Sequence, residues 1–245
     1  MIGNDTEAER FVEGILPYER DAFLWLNEVV HNIFWDSFMW IYSGKITWVP
    51  LVIVALFVFI YKVKWKEAAI LIFCMVLLAT LCDQLSAGVV KHIFERLRPT
   101  HHPDFKDFVI IVNDYRGGRF GFVSAHATNG FGVATFLALV FKYRRFTCVI
   151  FSWALITAYS RIYLGVHFIS DIIGGMILGS ILGFLVYLLF QFCRIKILHH
   201  TPEQLRIPLF SRLRANILCL TIVIIVITIF IISLLNFIFG FSWFF

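Results

Sequence analysis

His167 and Asp171 stand four residues apart at the end of the run Ser160-Arg161-Ile162-Tyr163-Leu164-Gly165-Val166-His167-Phe168-Ile169-Ser170-Asp171. On a helix that spacing lets the carboxylate accept from one imidazole nitrogen and leaves the other free to act as a nucleophile. A structural His–Asp pair would look the same. Two further clusters carry chemistry of a matching kind. Lys91 and Arg98, in Lys91-His92-Ile93-Phe94-Glu95-Arg96-Leu97-Arg98-Pro99, are seven residues apart. That is two helical turns, so they share a face, and Pro99 ends the element by biasing Arg98 away from the helical region. They could hold an anion or simply anchor a helix end at lipid headgroups. Ser124-Ala125-His126 follows the glycine-rich stretch Arg116-Gly117-Gly118-Arg119-Phe120-Gly121. A hydroxyl, the N–H groups of a helix start and an imidazole can together bind an anion and move a proton, although a histidine at a helix entrance also serves as a plain cap.

The elements that must position these groups are membrane helices. Hydrophobic residues make up 60% of the 245, aromatics 18% and charged residues only 15%, a balance foreign to a soluble domain. The net charge of +5 is dispersed among apolar runs, which argues against nucleic acid as a partner. Trp48, Tyr61, Trp65 and Tyr143 fall near the ends of apolar runs, where amphipathic rings suit headgroup depth. Cys74, Cys82, Cys148, Cys193 and Cys219 form no CxxC pair and read as small buried hydrophobes.

A spanning helix needs about 20 mainly apolar residues, which predicts six crossings: 46–61, 68–90, 120–141, 146–163, 171–193 and 215–239. The first is short, but Lys45 and Lys62 can snorkel from its ends. Over 22–42, Asn27, Glu28, His31, Asn32 and Asp36 recur along one helical side, predicting an interfacial amphipathic helix. A span there would bury acidic groups at about 2.5–3.5 kcal/mol for an Asp at mid-bilayer. Residues 1–20 read as a polar, acidic leader without the basic and apolar regions of a signal peptide. The expected fold is therefore all-α, a polytopic helix bundle over 46–245 preceded by a leader and interfacial helix over 1–45. The basic loops at Lys62, Lys64 and Lys66, at Lys142, Arg144 and Arg145, and from Arg194 to Arg214 share one side, predicted cytoplasmic. The 91–119 loop and the junction before His167 then face outward.

Taken together the three clusters resemble the signature of the type 2 phosphatidic acid phosphatase superfamily: Lys, six residues, Arg-Pro; Pro-Ser-Gly-His; and Ser-Arg, five residues, His, three residues, Asp. Lys91, Arg98 and Pro99 match the first part, and Ser160, Arg161, His167 and Asp171 the third. The second is Val123-Ser124-Ala125-His126, departing at two of four positions. Ala125 keeps the N–H a phosphate oxygen needs, while its methyl narrows the approach; Val123 loses only the rigidity of Pro.

The resemblance implies that His167 attacks phosphorus to form a phosphohistidine, that His126 protonates the leaving oxygen and that water then releases phosphate. Asp171 would orient His167, and Lys91, Arg98 and Arg161 would neutralise the phosphoryl oxygens with Ser124 and the Ala125 N–H, without a metal or cofactor. Asp83, eight residues before Lys91, is expected to hold Lys91 or Arg96, with Ser160 in support. His101 and His102 read as loop surface rather than a metal site, and with Asn113, Asp114, Arg116 and Arg119 could touch a headgroup. A pocket at the membrane surface suits a phosphate carried on a lipid of the bilayer. An outward-facing site in an inner membrane favours lipid A phosphate or undecaprenyl diphosphate over phosphatidylglycerol phosphate or phosphatidic acid. The rivals are a phosphotransferase on the same scaffold and a transporter or scaffold whose charges line a pathway.

Overall fold

The structure, a computed structural model, describes residues 7–240. Eleven α-helices are named among them: α1 (Glu7–Glu13), α2 (Leu16–Glu28), α3 (Ile33–Ser43), α4 (Val49–Ile60), α5 (Trp65–Asp83), α6 (Lys91–Phe94), α7 (Ala125–Phe141), α8 (Arg144–Tyr163), α9 (Ile169–Leu198), α10 (Pro202–Arg206) and α11 (Arg212–Phe239). A π-helical stretch, Gln84–Val90, joins α5 to α6. Among the described residues the only β-type pairing is an isolated antiparallel bridge between Leu97 and Phe120.

The chain is a multi-pass membrane protein. Four continuous helical segments among the described residues are long and apolar enough to cross a bilayer: Trp65–Phe94, Arg144–Tyr163, Ile169–Leu198 and Arg212–Phe239. A fifth span results if Ile33–Ser43 and Ile46–Ile60, bent by 68° at their break, count as one. The predicted third crossing is apolar but shorter, because residues 120–124 stay outside α7 and the helix runs only over Ala125–Phe141. Its length is set by Ser124, whose extended backbone and side chain cap the helix through the Ala127 N–H.

The helix expected over 22–42 is two helices, α2 and α3, separated by a turn and restarted by Asn32, whose side chain accepts from the Trp35 N–H. Its polar residues do not form an outward stripe. The Asn27 side chain is buried, donating to the carbonyls of Ile110, Ile162 and Tyr163 and accepting from the Ile110 N–H at 2.9 Å. His31 Nδ1 lies 2.7 Å from Asp36 Oδ1, and Tyr163 donates to the same carboxylate. Asn27 thus finds partners that water would otherwise supply, and α2 is pinned across the end of the bundle. The stretch read as a polar leader is, from Glu7 on, helical and packed.

At the centre, α7 and α9 run side by side in the same direction. Gly175, Gly179 and Gly183 recur every four residues along α9 and face Ser124, Thr128 and Gly132 of the α7 segment. A Cβ on Gly179 would collide with the Thr128 carbonyl oxygen, so only glycine allows the two backbones to approach this closely, the small-residue packing that apolar solvent favours. Gly179→Val is expected to destabilise the fold by about 1–3 kcal/mol or more through overpacking, read as a lower thermal unfolding midpoint in detergent. An unchanged midpoint would contradict the contact. Trp48 packs edge-on against Tyr42 and Trp153 and donates to the Tyr42 carbonyl. Cys74 and Cys82 are buried as expected; Cys148 is exposed.

Candidate active site

The three clusters meet at one end of the bundle, where α6, α7, α8 and α9 begin or finish. The expected shared helix face of Lys91 and Arg98 does not form, because α6 ends at Phe94 and Glu95 adopts a left-handed conformation with φ of 43°. Beyond it the chain is extended. Arg98 N–H donates to the Arg119 carbonyl and Gly121 N–H to the Arg96 carbonyl, flanking the Leu97–Phe120 bridge. Extended backbone puts alternate side chains on one side, so Arg96 and Arg98 both turn toward the His167–Asp171 pair while Leu97 turns away. Gly121 completes the approach, since a Cβ there would sit 2.7 Å from Asp171 Oδ2.

His167 precedes α9 and Asp171 lies in its first turn, so their contact is a helix-start geometry rather than a pair within one helix. Asp171 Oδ2 accepts from the Phe168 N–H at 3.0 Å and faces His167 Nδ1 at 3.2 Å. Asp171 Oδ1 takes Arg96 Nη1 at 3.0 Å. Both carboxylate oxygens are thus committed, in a side chain with no exposure. With Nδ1 turned to the carboxylate, the tautomer that donates there leaves Nε2 with its lone pair. Nε2 lies 3.2 Å from Arg98 Nη1. Burial first, and then the neighbouring Arg98, Arg161 and Lys91, hold the imidazole pKa well below its ordinary value. Both effects favour the neutral imidazole, the form in which a ring nitrogen can act as a nucleophile.

The cations surround that nitrogen. Arg98 is buried, its Nε donating to the Phe120 carbonyl and Nη1 to the Val166 carbonyl. Arg161, 3% exposed, reaches the Tyr115 hydroxyl at 3.3 Å, and its Nε has no hydrogen-bond partner. A buried guanidinium N–H without an acceptor is costly, and an anion would satisfy it. Lys91 is half-buried at the end of the long second span. His126 faces two cavities: one of about 810 Å³ that also meets Arg161, and one of about 270 Å³ shared with Ala125, Asn129 and Asp83.

Several expectations change. Asp83 is not a partner of Arg96, which pairs with Glu19 and Asp171, but its charge acts on Lys91. It is exposed where α5 gives way to the π-helical stretch, whose i to i+5 bonding shifts the register that an eight-residue α-helical spacing assumes. Ser160 is fully buried but donates to the Thr157 carbonyl of its own helix at 2.7 Å. His102, read as loop surface, is buried and pairs with Glu13 at 3.2 Å, and no metal-holding cluster of His, Cys, Asp and Glu occurs among the described residues.

The residue that sequence reasoning missed is Glu19. Its Oε1 lies 2.6 Å from Arg96 Nη2 and accepts from Ser170 Oγ at 2.7 Å, while Oε2 accepts from the Ser170 N–H at 2.7 Å. Ser170 Oγ also meets Arg96 Nη1, and the Arg96 guanidinium lies 4.6 Å over the Phe168 ring. A buried chain therefore runs Glu19, Arg96, Asp171, His167. A signal existed: the buried positions of α2 are Leu16, Glu19, Phe23 and Asn27, a helical stripe carrying a carboxylate and an amide among apolar residues.

A family model for the PAP2 superfamily matches residues 67–195, a stretch that contains all three clusters. The chain is 44% identical over 183 residues to a lipid A 4'-phosphatase of Porphyromonas gingivalis, covering 75% of this chain and 77% of that relative. It is 34% identical over 192 residues to a lipid A 4'-phosphatase of Bacteroides thetaiotaomicron, covering 78% and 85%. Among solved structures it resembles LpxE of Aquifex aeolicus, with a TM-score of 0.53 and 24% identity over 69% of this chain and 94% of that one. It also resembles a PAP2-type phosphatidylglycerolphosphate phosphatase of Bacillus subtilis, with a TM-score of 0.56 and 24% identity over 75% and 90%. With over half of its residues matched by the family model and both lipid A relatives well above 30% identity, the chain belongs to the PAP2 superfamily and is a membrane phosphatase of that type.

Proposed function

We propose that the protein removes a phosphate from lipid A through a phosphohistidine on His167. The observation that carries this reading is the committed imidazole: Nδ1 is held by a fully buried Asp171 while Nε2 faces Arg98. In the first step the Nε2 lone pair attacks phosphorus, the P–O bond to the lipid breaks, and His126 gives its proton to the departing oxygen. In the second, water attacks the phosphohistidine, His126 takes its proton and the P–N bond breaks. Asp171 offsets the charge on the imidazole through both steps. Arg98, Arg161 and Lys91 bind the equatorial oxygens, and the N–H groups at the start of α7, from Ala125 on, complete the cradle. These cations supply the charge compensation that a metal ion brings elsewhere. Lipid A comes ahead of undecaprenyl diphosphate because the two relatives above are lipid A 4'-phosphatases.

The proposed setting is the inner membrane, with six crossings formed by the bent α3–α4 segment, Trp65–Phe94, α7, α8, α9 and α11, and with the site facing the periplasm. The basic ends of the loops around Lys62, Lys142 and Arg194 favour that orientation. Cysteines introduced at 100–119 are expected to react with an impermeant thiol reagent in intact spheroplasts; protection there would reverse the topology.

The chemical test is purification in detergent, with phosphate release measured in chelator over lipid A, undecaprenyl diphosphate and phosphatidic acid. Acid-labile, alkali-stable label is expected on the wild-type chain from a labelled substrate. Turnover that vanished in chelator would overturn the metal-free mechanism. Label passed to a second lipid would make the protein a phosphotransferase.

A further inference from the structure

We propose that Lys45, with Trp40 and Tyr115 beside it, forms a subsite for a second anionic group on the lipid side of the scissile bond. The inference rests on the phosphatase reading of the site. In-line displacement places the leaving oxygen opposite the attacking nitrogen, so the lipid alcohol must lie across phosphorus from His167. The cavity of about 810 Å³ suits that position: His126, the proposed proton donor to the leaving oxygen, and Arg161 line it, and His167 does not.

Its walls separate by chemistry. Ile224, Ile225, Ile229 and Ile232 of α11 give one apolar side, suited to hydrocarbon. The rest of the lining, which also includes Ile41, Ile46 and Pro50, holds Lys45, Ser43 and an edge-to-face pair, Trp40 and Tyr115, with ring centroids 5.7 Å apart. Aromatic faces next to a cation suit a polar headgroup ring carrying an anion. Among the described residues Lys45, His126 and Arg161 are the lining residues with basic side chains, and no carboxylate lines this cavity. The adjoining 270 Å³ cavity, which Lys45 also lines, contains Asp83, which would repel an anion. A second anion therefore belongs on the α11 side.

Lys45 is placed there by the break in the first span. Gly44 N–H closes on the Ile41 carbonyl, and the chain turns by 68° between α3 and the segment that starts at Ile46. Among the described residues Lys45 has no ion pair or side-chain hydrogen bond, and its side chain is exposed. An unpaired ammonium within a membrane segment marks a substrate path more often than a structural role. The Lys91, Arg98 and Arg161 cluster already accounts for one phosphate, which leaves Lys45 for a different group on the same molecule.

The test uses the full chain in detergent with two substrates: a disaccharide lipid bearing two phosphates, and the same lipid bearing only the scissile one. Lys45→Ala is expected to raise KM for the bisphosphorylated lipid about tenfold, the loss of one charge-assisted contact, with kcat unchanged. KM for the monophosphorylated lipid should not move, and Lys45→Arg should restore the difference. Inhibition by inorganic phosphate, which occupies the Lys91, Arg98 and Arg161 cluster, should be the same in Lys45→Ala and wild type. Equal KM changes with both lipids, or weaker phosphate inhibition, would place Lys45 in the general field of the site and overturn the subsite. Binding of both lipids to the His167→Ala chain separates this outcome from failure of the phosphatase reading. Discrimination between them that disappears on adding Lys45→Ala supports the subsite even without turnover, and its persistence overturns it.

Discussion

His167→Ala is expected to lower phosphate release by roughly three to six orders of magnitude, the scale on which loss of a covalent nucleophile is felt, while the protein still folds. The fold survives because the neighbours of His167 have other partners. Asp171 keeps Arg96 and the Phe168 N–H, and Arg98 keeps the carbonyls of Phe120 and Val166. The stability loss should be about 1–2 kcal/mol, one hydrogen bond and a small cavity. Phosphate release and thermal unfolding in the same detergent check both halves, and activity within tenfold of wild type would remove His167 from the nucleophile role. Asp171→Asn is expected to fall by less, because Nε2 stays in place and only its orientation and charge support are lost.

The membrane character and the three clusters were legible in the sequence because each is written locally. Long apolar runs announce Trp65–Phe94, α9 and α11, and the Lys91, Ser124 and His167 clusters carry their order and spacing within short segments. What the sequence concealed depends on contacts between distant segments. Nothing local shows that α5 passes into a π-helical stretch between Asp83 and Lys91. The turn at Glu95 likewise converts Arg96 and Arg98 from helix neighbours into alternate residues of an extended strip, paired with residues 119–121. That conversion lets one arginine approach His167 and the other the far oxygen of Asp171. The break at Gly44 was hidden for a different reason: hydropathy registers an apolar run but not its direction, so Lys45 read as the end of a span instead of its bend.

Glu19→Ala is expected to be the most damaging substitution outside residues 67–195, the stretch that the family model matches. Arg96 is completely buried, and its two outer nitrogens divide between Glu19 at 2.6 Å and Asp171 at 3.0 Å. Removing one carboxylate leaves a buried guanidinium half-paired and strips the Ser170 N–H, at the start of α9, of its acceptor. Breaking a buried ion pair from one side costs about 3–5 kcal/mol, which for a chain of this size lowers the unfolding midpoint by roughly 10 °C. The site should respond as well. Freed from Glu19, Arg96 can turn its fork onto both oxygens of Asp171, taking Oδ2 from His167 Nδ1 and loosening the imidazole. Glu19→Gln separates the two consequences, since it keeps an oxygen for Ser170 but loses the charge that draws Arg96 away. It should retain more stability than the alanine variant yet show a lowered kcat with little change in KM, and Glu19→Asp should recover part of that kcat. An unfolding midpoint unchanged in Glu19→Ala would refute the buried pair. A full kcat in Glu19→Gln would confine Glu19 to holding α2 against the bundle.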